Sequence, residues 1–144
     1  NASPASTAAA LAVLCELRAD RKLVILGDML EIGEESMKRH RELAEPVVLS
    51  GAKQVVLVGH GMKHLFDELI ERLGFSRQQV FWFERSSEAA SFAEDMAREG
   101  DLILVKGSQG MRMERVSEKL LFDPVEAPYF LCRQSSEWKA KSSE

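Results

Sequence analysis

Cysteine is scarce in this chain. The two cysteines among 144 residues, Cys15 and Cys132, stand far apart, with neither the spacing of a metal-ligand set nor the density of a disulfide framework. No apolar run approaches the ~20 residues that a membrane-spanning helix needs. Residues 1–10 lack both the basic stretch and the long apolar stretch of a secretion signal. These absences place the expectation in the cytoplasm, with no membrane partner. The charge balance, 19 Lys and Arg against 23 Asp and Glu, leaves a formal net charge of -4 and no basic stripe to follow a nucleic-acid backbone. Nucleic acid is therefore not an expected partner. The glycine signatures of phosphate binding are missing as well: neither Gly-x-Gly-x-x-Gly nor Gly-x-x-x-x-Gly-Lys-Ser/Thr occurs, which disfavours nicotinamide dinucleotides and excludes P-loop hydrolysis by this chain alone. His40, His60 and His64 form no ligand triplet, and no Ser-His-Asp or Cys-His arrangement is evident. No catalytic residue and no metal ligand is assigned.

What remains is a regular alternation of apolar runs and amphipathic stretches, in a length that suits one domain. Asn-Ala-Ser-Pro opens directly onto a helical pattern with no strand before it, as expected of a piece of a longer chain. Ser3 reads as the helix cap and Pro4 as the first helical position, since Pro lacks the amide that would be left unpaired there. The helix is expected to reach about Ala19. Four apolar runs read as buried strands: Leu23–Leu26, Val55–Val58, Val80–Phe83 and Leu102–Val105. Each is apolar on both faces, as a parallel sheet covered by helices on both sides requires. Between them a helix over 36–49 is expected to kink or split at Pro46, and one carrying Leu65, Phe66, Leu69, Ile70 and Leu73 to stop at Gly74. Another runs from Ser86 or Ser87 to Gly100, and a last one from about Met111 to Leu121. Residues 1–122 are expected to form the domain and 123–144 an irregular tail, with a short strand near Tyr129 to Cys132.

This grammar predicts a three-layer α/β/α, Rossmann-like domain with a mainly parallel sheet of about four core strands in the order 3-2-1-4. The switch point then falls between the first and fourth strands, where ligands bind beyond the carboxyl ends. Two loops meet there: Gly27-Asp28-Met29-Leu30-Glu31-Ile32-Gly33 and Lys106-Gly107-Ser108-Gln109-Gly110. Lys106 with the Gly107 and Ser108 amides suits a phosphate or carboxylate, although the tripeptide taken alone reads first as a lysine reaching out of the sheet ahead of a turn. Asp28 and Glu31, with Glu34 and Glu35, repel bare phosphate and suit Mg²⁺, sugar hydroxyls or a substrate amine. Glu34 and Glu35 are also explained by the positive end of the helix they precede. Arg112 is either a further cation on this rim or a solvated residue on its helix face.

Four segments taken in order resemble the Mur ligase family, and within it the D-alanyl-D-alanine-adding type. They are Asn1-Ala2-Ser3-Pro4, Leu26-Gly27-Asp28-Met29-Leu30-Glu31-Ile32-Gly33 with the trailing Ser36 and His40, Gly100-Asp101 with Val105-Lys106-Gly107-Ser108, and Met111-Arg112-Met113-Glu114. The likeness runs from Asn1 to about Leu121, without the two strands that precede Asn-Ala-Ser-Pro in the family. The resemblance implies the C-terminal domain of a three-domain ligase, with an N-terminal domain for the UDP-sugar and a central one for ATP and Mg²⁺. It implies UDP-N-acetylmuramoyl-tripeptide and D-alanyl-D-alanine as substrates, and an acyl-phosphate intermediate. It also implies that Lys106, Gly107, Ser108, Asp28 and Glu31 face the substrate cleft, that Arg112 can join them, and that Asn1 lies near the nucleotide. The fragment alone is expected to be inactive. A non-catalytic, doubly wound binding or regulatory module is the alternative from fold alone.

Overall fold

Four apolar runs become four parallel strands, β1 (Lys22–Gly27), β2 (Gln54–Val58), β3 (Val80–Phe83) and β4 (Leu102–Lys106), hydrogen-bonded in the order β3-β2-β1-β4. The computed structural model describes residues 1–140. Leu26 is level with Leu57 on one side and with Lys106 on the other, so β1 and β4 end together at the switch point.

The period-2 geometry of a strand sorts the sheet into two cores. Val24, Leu26, Val55 and Leu57 face one side, where they meet helices α1 (Pro4–Glu16), α3 (Ala44–Leu49) and α4 (His60–Asp67) through Leu11, Leu14, Val47, Met62 and Leu65. Ile25, Val56 and Val58 face the other, against α5 (Ser86–Met96) and α6 (Glu114–Leu120) through Ala89, Ala93 and Val116. The central strands are sealed, whereas all five residues of β4 are only half-buried because that strand pairs on one edge alone.

Helix ends differ from the sequence expectation for reasons that lie elsewhere in the chain. The first helix stops at Glu16, not Ala19, and the ammonium of Lys22 donates to the orphan carbonyls of Leu14 (2.8 Å) and Cys15 (3.1 Å). The helix expected to reach Gly100 stops at Met96, whose carbonyl accepts from Arg21 at 2.7 Å. Two adjacent cations at the start of β1, Arg21 just before it and Lys22 its first residue, thus cap one helix on each face of the sheet. The stretch over 36–49 splits into α2 (Ser36–Arg41) and α3, with the break at Glu42 and Leu43 and not at Pro46. A proline excludes helix four residues upstream and is tolerated in a first turn, which is where Pro46 sits. Beyond Asp67 the α4 pattern continues as one wider π turn, Glu68–Arg72, and Gly74 follows in the left-handed region.

The last domain helix starts late. Gln109–Met111 is a 3-10 turn, Arg112 is left-handed at φ 54°, and α6 begins only at Glu114. The strand expected near Tyr129 to Cys132 is instead a helical turn, α7 (Ala127–Phe130), because Pro128 stands in its first turn and its ring pre-sets helical φ. A second short helix, α8 (Ser136–Lys139), is capped by the Ser135 hydroxyl, which accepts from the Trp138 amide at 3.2 Å. Of the polar end expected over 139–144, residues 141–144 lie outside the described residues.

The connection ahead of β1 is tied to the one ahead of β4 by Arg21 and the nearly buried Asp101, paired through both carboxylate oxygens at 2.7 Å. Hydrogen bonds from the Arg21 guanidinium, and then from the Arg98 amide, hold the Asp101 carboxyl below its ordinary value despite partial burial. A lowered carboxyl stabilises the fold fully above the unfolded carboxylate range and loses that contribution as pH falls through the lowered value. Asp101→Asn is expected to cost about 1–2 kcal/mol at neutral pH, towards the lower figure because Arg21 is partly solvated. In urea titrations the gap from the unmodified chain should close as pH drops below the carboxylate range.

Candidate functional site

The two loops predicted to carry chemistry touch at the level of their backbones. A side chain at Gly27 would lie 2.7 Å from the Met113 sulfur, and one at Gly107 would lie 2.6 Å from Met113 Cγ and 3.0 Å from Gly27 Cα. Only glycine at both positions lets the ends of β1 and β4 close beneath Met113. The Ser108 amide then donates to the Asp28 carbonyl (3.0 Å). The buried Ser108 hydroxyl accepts from the Leu30 amide (2.8 Å) and donates to the Ala2 carbonyl (3.3 Å). Lys106 reaches the Asn1 carbonyl at 2.8 Å. One rim therefore gathers Asn1, the loop from Gly27, the loop from Lys106 and Met113, with Asn1 and Lys106 in contact across 105 positions of sequence.

Asp28 belongs to this rim through its backbone, but its side chain is spoken for. Its two oxygens accept from the amides of Gly61 (2.9 Å) and Met62 (2.7 Å), capping α4 where the helix dipole favours a carboxylate. Side chains at Gly59 or Gly61 would fall within 2.5–2.7 Å of Asp28 or His40. His40 is fully buried and completes the arrangement: its Nε2 accepts from the Met29 amide (3.0 Å) while Nδ1 faces the Ser36 carbonyl (2.7 Å). Because an amide can only donate and a carbonyl only accept, the ring carries its proton on Nδ1. Trp82 adds a brace by donating to the Gly59 carbonyl at 2.7 Å.

The other predicted residues fall in different places. Glu31 is exposed on the loop at φ 64°, and Asn1 is exposed beside Lys106. Arg112 is 3 % exposed: it donates to Glu114 at 2.6 Å and lies under Trp138, its guanidinium 4.9 Å from the ring centre. Burial pushes the Glu114 carboxyl up, but bonds from Arg112 and the Trp138 indole (2.9 Å) outweigh it and leave the group below its ordinary value. His60 is exposed and 3.7 Å from Glu84. Among the described residues no three His, Cys, Asp or Glu side chains gather closely enough to hold a metal ion. A cavity of about 330 Å³ opens on the rim, with Asn1, Lys106, Gly107 and Gln109 on its inner side and Phe130 to Arg133 of the tail on its outer side.

The family described as "Mur ligase, glutamate ligase domain" matches residues 1–109, and so takes in both loops of the rim. The chain belongs to the Mur ligase family. Its relatives include UDP-N-acetylmuramoyl-tripeptide--D-alanyl-D-alanine ligase of Rickettsia prowazekii, 34% identical over 116 residues that make up 81% of this chain and 25% of that protein. Among solved structures, MurF of Acinetobacter baumannii superposes with a TM-score of 0.69 at 25% identity, over 83% of this chain and 26% of the other. The ADP complex of MurF ligase from Thermotoga maritima, at 22% identity, shares the fold with a TM-score of 0.65 over 91% of this chain and 28% of the other. The chain spans about a quarter of the length of the Mur ligases it matches. These relatives do not favour the reading as a non-catalytic regulatory module.

Sequence reasoning missed how the rim is supported. His40 reads from the sequence as one of three histidines without ligand spacing and as a trailing family residue, although Ser36 and His40 are one helical turn apart and suggest a shared contact. Nothing in the sequence signalled that Trp138 would cover Arg112. If Asp28 holds the loop by capping α4, Asp28→Ala leaves two amides without their acceptor, and Gly61→Ala forces a side chain against His40. Each is expected to lower stability by about 1–3 kcal/mol, read as a shifted urea midpoint of the isolated chain.

Proposed function

We propose that this chain is the C-terminal domain of an ATP-dependent ligase that adds D-alanyl-D-alanine to UDP-N-acetylmuramoyl-tripeptide in peptidoglycan synthesis in the cytoplasm. The observation that carries the reading is the rim itself. The Asn1-Ala2, Gly27-Asp28 and Lys106-Gly107-Ser108 parts of the family-like segments meet there with Met113, around a lysine and an acidic loop. In the intact enzyme ATP would transfer its terminal phosphoryl group to the tripeptide carboxylate, and the dipeptide amine would attack the acyl phosphate, forming the amide and releasing phosphate.

This chain's share of that reaction is to hold and enclose. Lys106, with the Gly107 and Ser108 backbone, engages the carboxylate of the incoming dipeptide or a phosphate oxygen. Glu31 orients the dipeptide amine, and Asn1 stands towards the nucleotide. Asp28 contributes through the loop it anchors, and Arg112 through the α6 start that it packs with Glu114. Positioning of this kind supplies several kcal/mol when reactants are brought to attack distance and water is shut out. Among the described residues no Mg²⁺ site forms, since the Asp28 carboxylate already holds two helix amides and no group of three acidic or histidine side chains gathers. In this reading, as the family resemblance implies, ATP and Mg²⁺ belong to a central domain and the UDP-sugar to an N-terminal one.

The test is phosphate release by the full-length ligase with ATP, Mg²⁺, muramoyl tripeptide and D-alanyl-D-alanine. Lys106→Ala is expected to raise the KM for the dipeptide or for ATP by about tenfold or more, the equivalent of one charge-assisted hydrogen bond. Unchanged kinetics for both substrates would remove Lys106 from the site.

A further inference from the structure

The cavity on the rim has an outer wall that the family match, ending at residue 109, does not include. That wall is the tail, and the tail is fastened to the domain by chemistry different from that of the core. Trp138 carries two guanidinium groups over its ring, Arg112 at 4.9 Å and Arg133 at 5.3 Å, and its indole N–H donates to Glu114 at 2.9 Å. Lys139 pairs with Glu118 on the next turn of α6 at 3.0 Å. The consequence for the cavity is placement: with Trp138 docked on the start of α6, the preceding residues Phe130 to Arg133 lie across from Lys106 and Gln109.

The charges around this space do not cancel. Lys106 and Arg133 both line it, and the carboxylate on the same lining, Glu114, is already engaged by Arg112 and the Trp138 indole. Gln109 and Ser117 add neutral hydrogen-bonding groups. Two cations on the lining of a polar cavity of about 330 Å³, one held at the Asn1 carbonyl and one stacked on Trp138, suit a compact anion, and the volume is at the lower end of the range for small-molecule pockets.

We propose that Phe130 to Arg133, latched by Trp138, form the outer wall of an oxyanion-binding site whose inner wall is Lys106 to Gln109. Arg133 and Lys106 together hold the carboxylate or phosphate group of a small ligand. The proposal rests on the reading of Lys106 as a substrate-facing residue and adds to it a second cation from outside the family-matched region. Trp138 is a positioning residue in this arrangement, acting through Arg133.

The experiment uses the 144-residue chain carrying Trp82→Phe, so that Trp138 is its sole tryptophan and lies beside the site. Calorimetry on chains that keep Trp82 serves as a second readout, and it is the one used for the truncation and the Trp138 variants, which lack the fluorescent residue. D-alanyl-D-alanine and inorganic phosphate are titrated separately, and the one that gives saturable binding identifies the anion as carboxylate or phosphate. Arg133→Gln, Lys106→Ala and truncation after Asp123 are each expected to weaken that binding about tenfold or more, with circular dichroism unchanged. Trp138→Ala should weaken it more than Trp138→Phe, which keeps a ring for Arg133. Binding that is lost in Lys106→Ala but survives Arg133→Gln and the truncation overturns the tail wall and leaves the rim reading intact. Binding lost in Arg133→Gln but kept in Lys106→Ala overturns the paired site and counts against the rim reading itself. No saturable binding of either probe at millimolar concentration overturns the proposal.

Discussion

The Asp28 carboxylate on the first amides of α4 is the contact on which the rest of the rim depends. It is a charge-assisted pair of hydrogen bonds in a nearly dry place, at the end of a helix whose dipole already favours negative charge. Once Asp28 is held there, the backbone that follows has one path. Met29 is taken by His40, Leu30 by the Ser108 hydroxyl, and the Asp28 carbonyl by the Ser108 amide. The loop after β1 is thereby locked to α4 and α2 on one side and to the loop after β4 on the other. A family-like motif that reads as a ligand site is in large part a fastening, and what it leaves for a ligand is the surface that the fastening presents.

That division has an energetic logic. Groups that must hold their position are buried and have partners: Asp28, His40 and Ser108. Groups suited to meeting a mobile reactant, Glu31, Lys106 and Asn1, lie at or near the solvent edge. The tail is of a third kind. Its contacts include cation–π pairs and surface ion pairs worth about 0.5–1 kcal/mol each, the Trp138 indole bond to Glu114 and the buried Ala127, while Phe122, Val125, Tyr129 and Phe130 stay exposed. Apart from Ala127 it is attached to the domain from outside the core, which suits a wall able to yield to a ligand or a neighbouring domain.

The strands, their order and the meeting of the two loops were legible because each depends on a local regularity. Unbroken apolar runs such as Leu23–Leu26 mark strands covered on both faces, and alternating strands and helices admit few topologies. Gly27 and Gly107 were visible as glycines, but the reason for them, the Met113 side chain above both, was not. Helix ends were misplaced wherever a distant residue decided them: Lys22 beyond Glu16, and Arg21 at Met96. The tail was misread because Tyr129, Phe130 and Leu131 suggest a strand, whereas Pro128 had already set a helical turn.

The sequence by itself determined the α/β alternation, the parallel sheet and the family, since periodicity and short motifs are properties of neighbouring residues. Only the tertiary structure decided which polar groups are available to a ligand. A carboxylate or a hydroxyl is free or consumed according to what lies within about 3 Å of it, and for Asp28, Ser108 and Arg112 that neighbour comes from another element or from the far end of the chain.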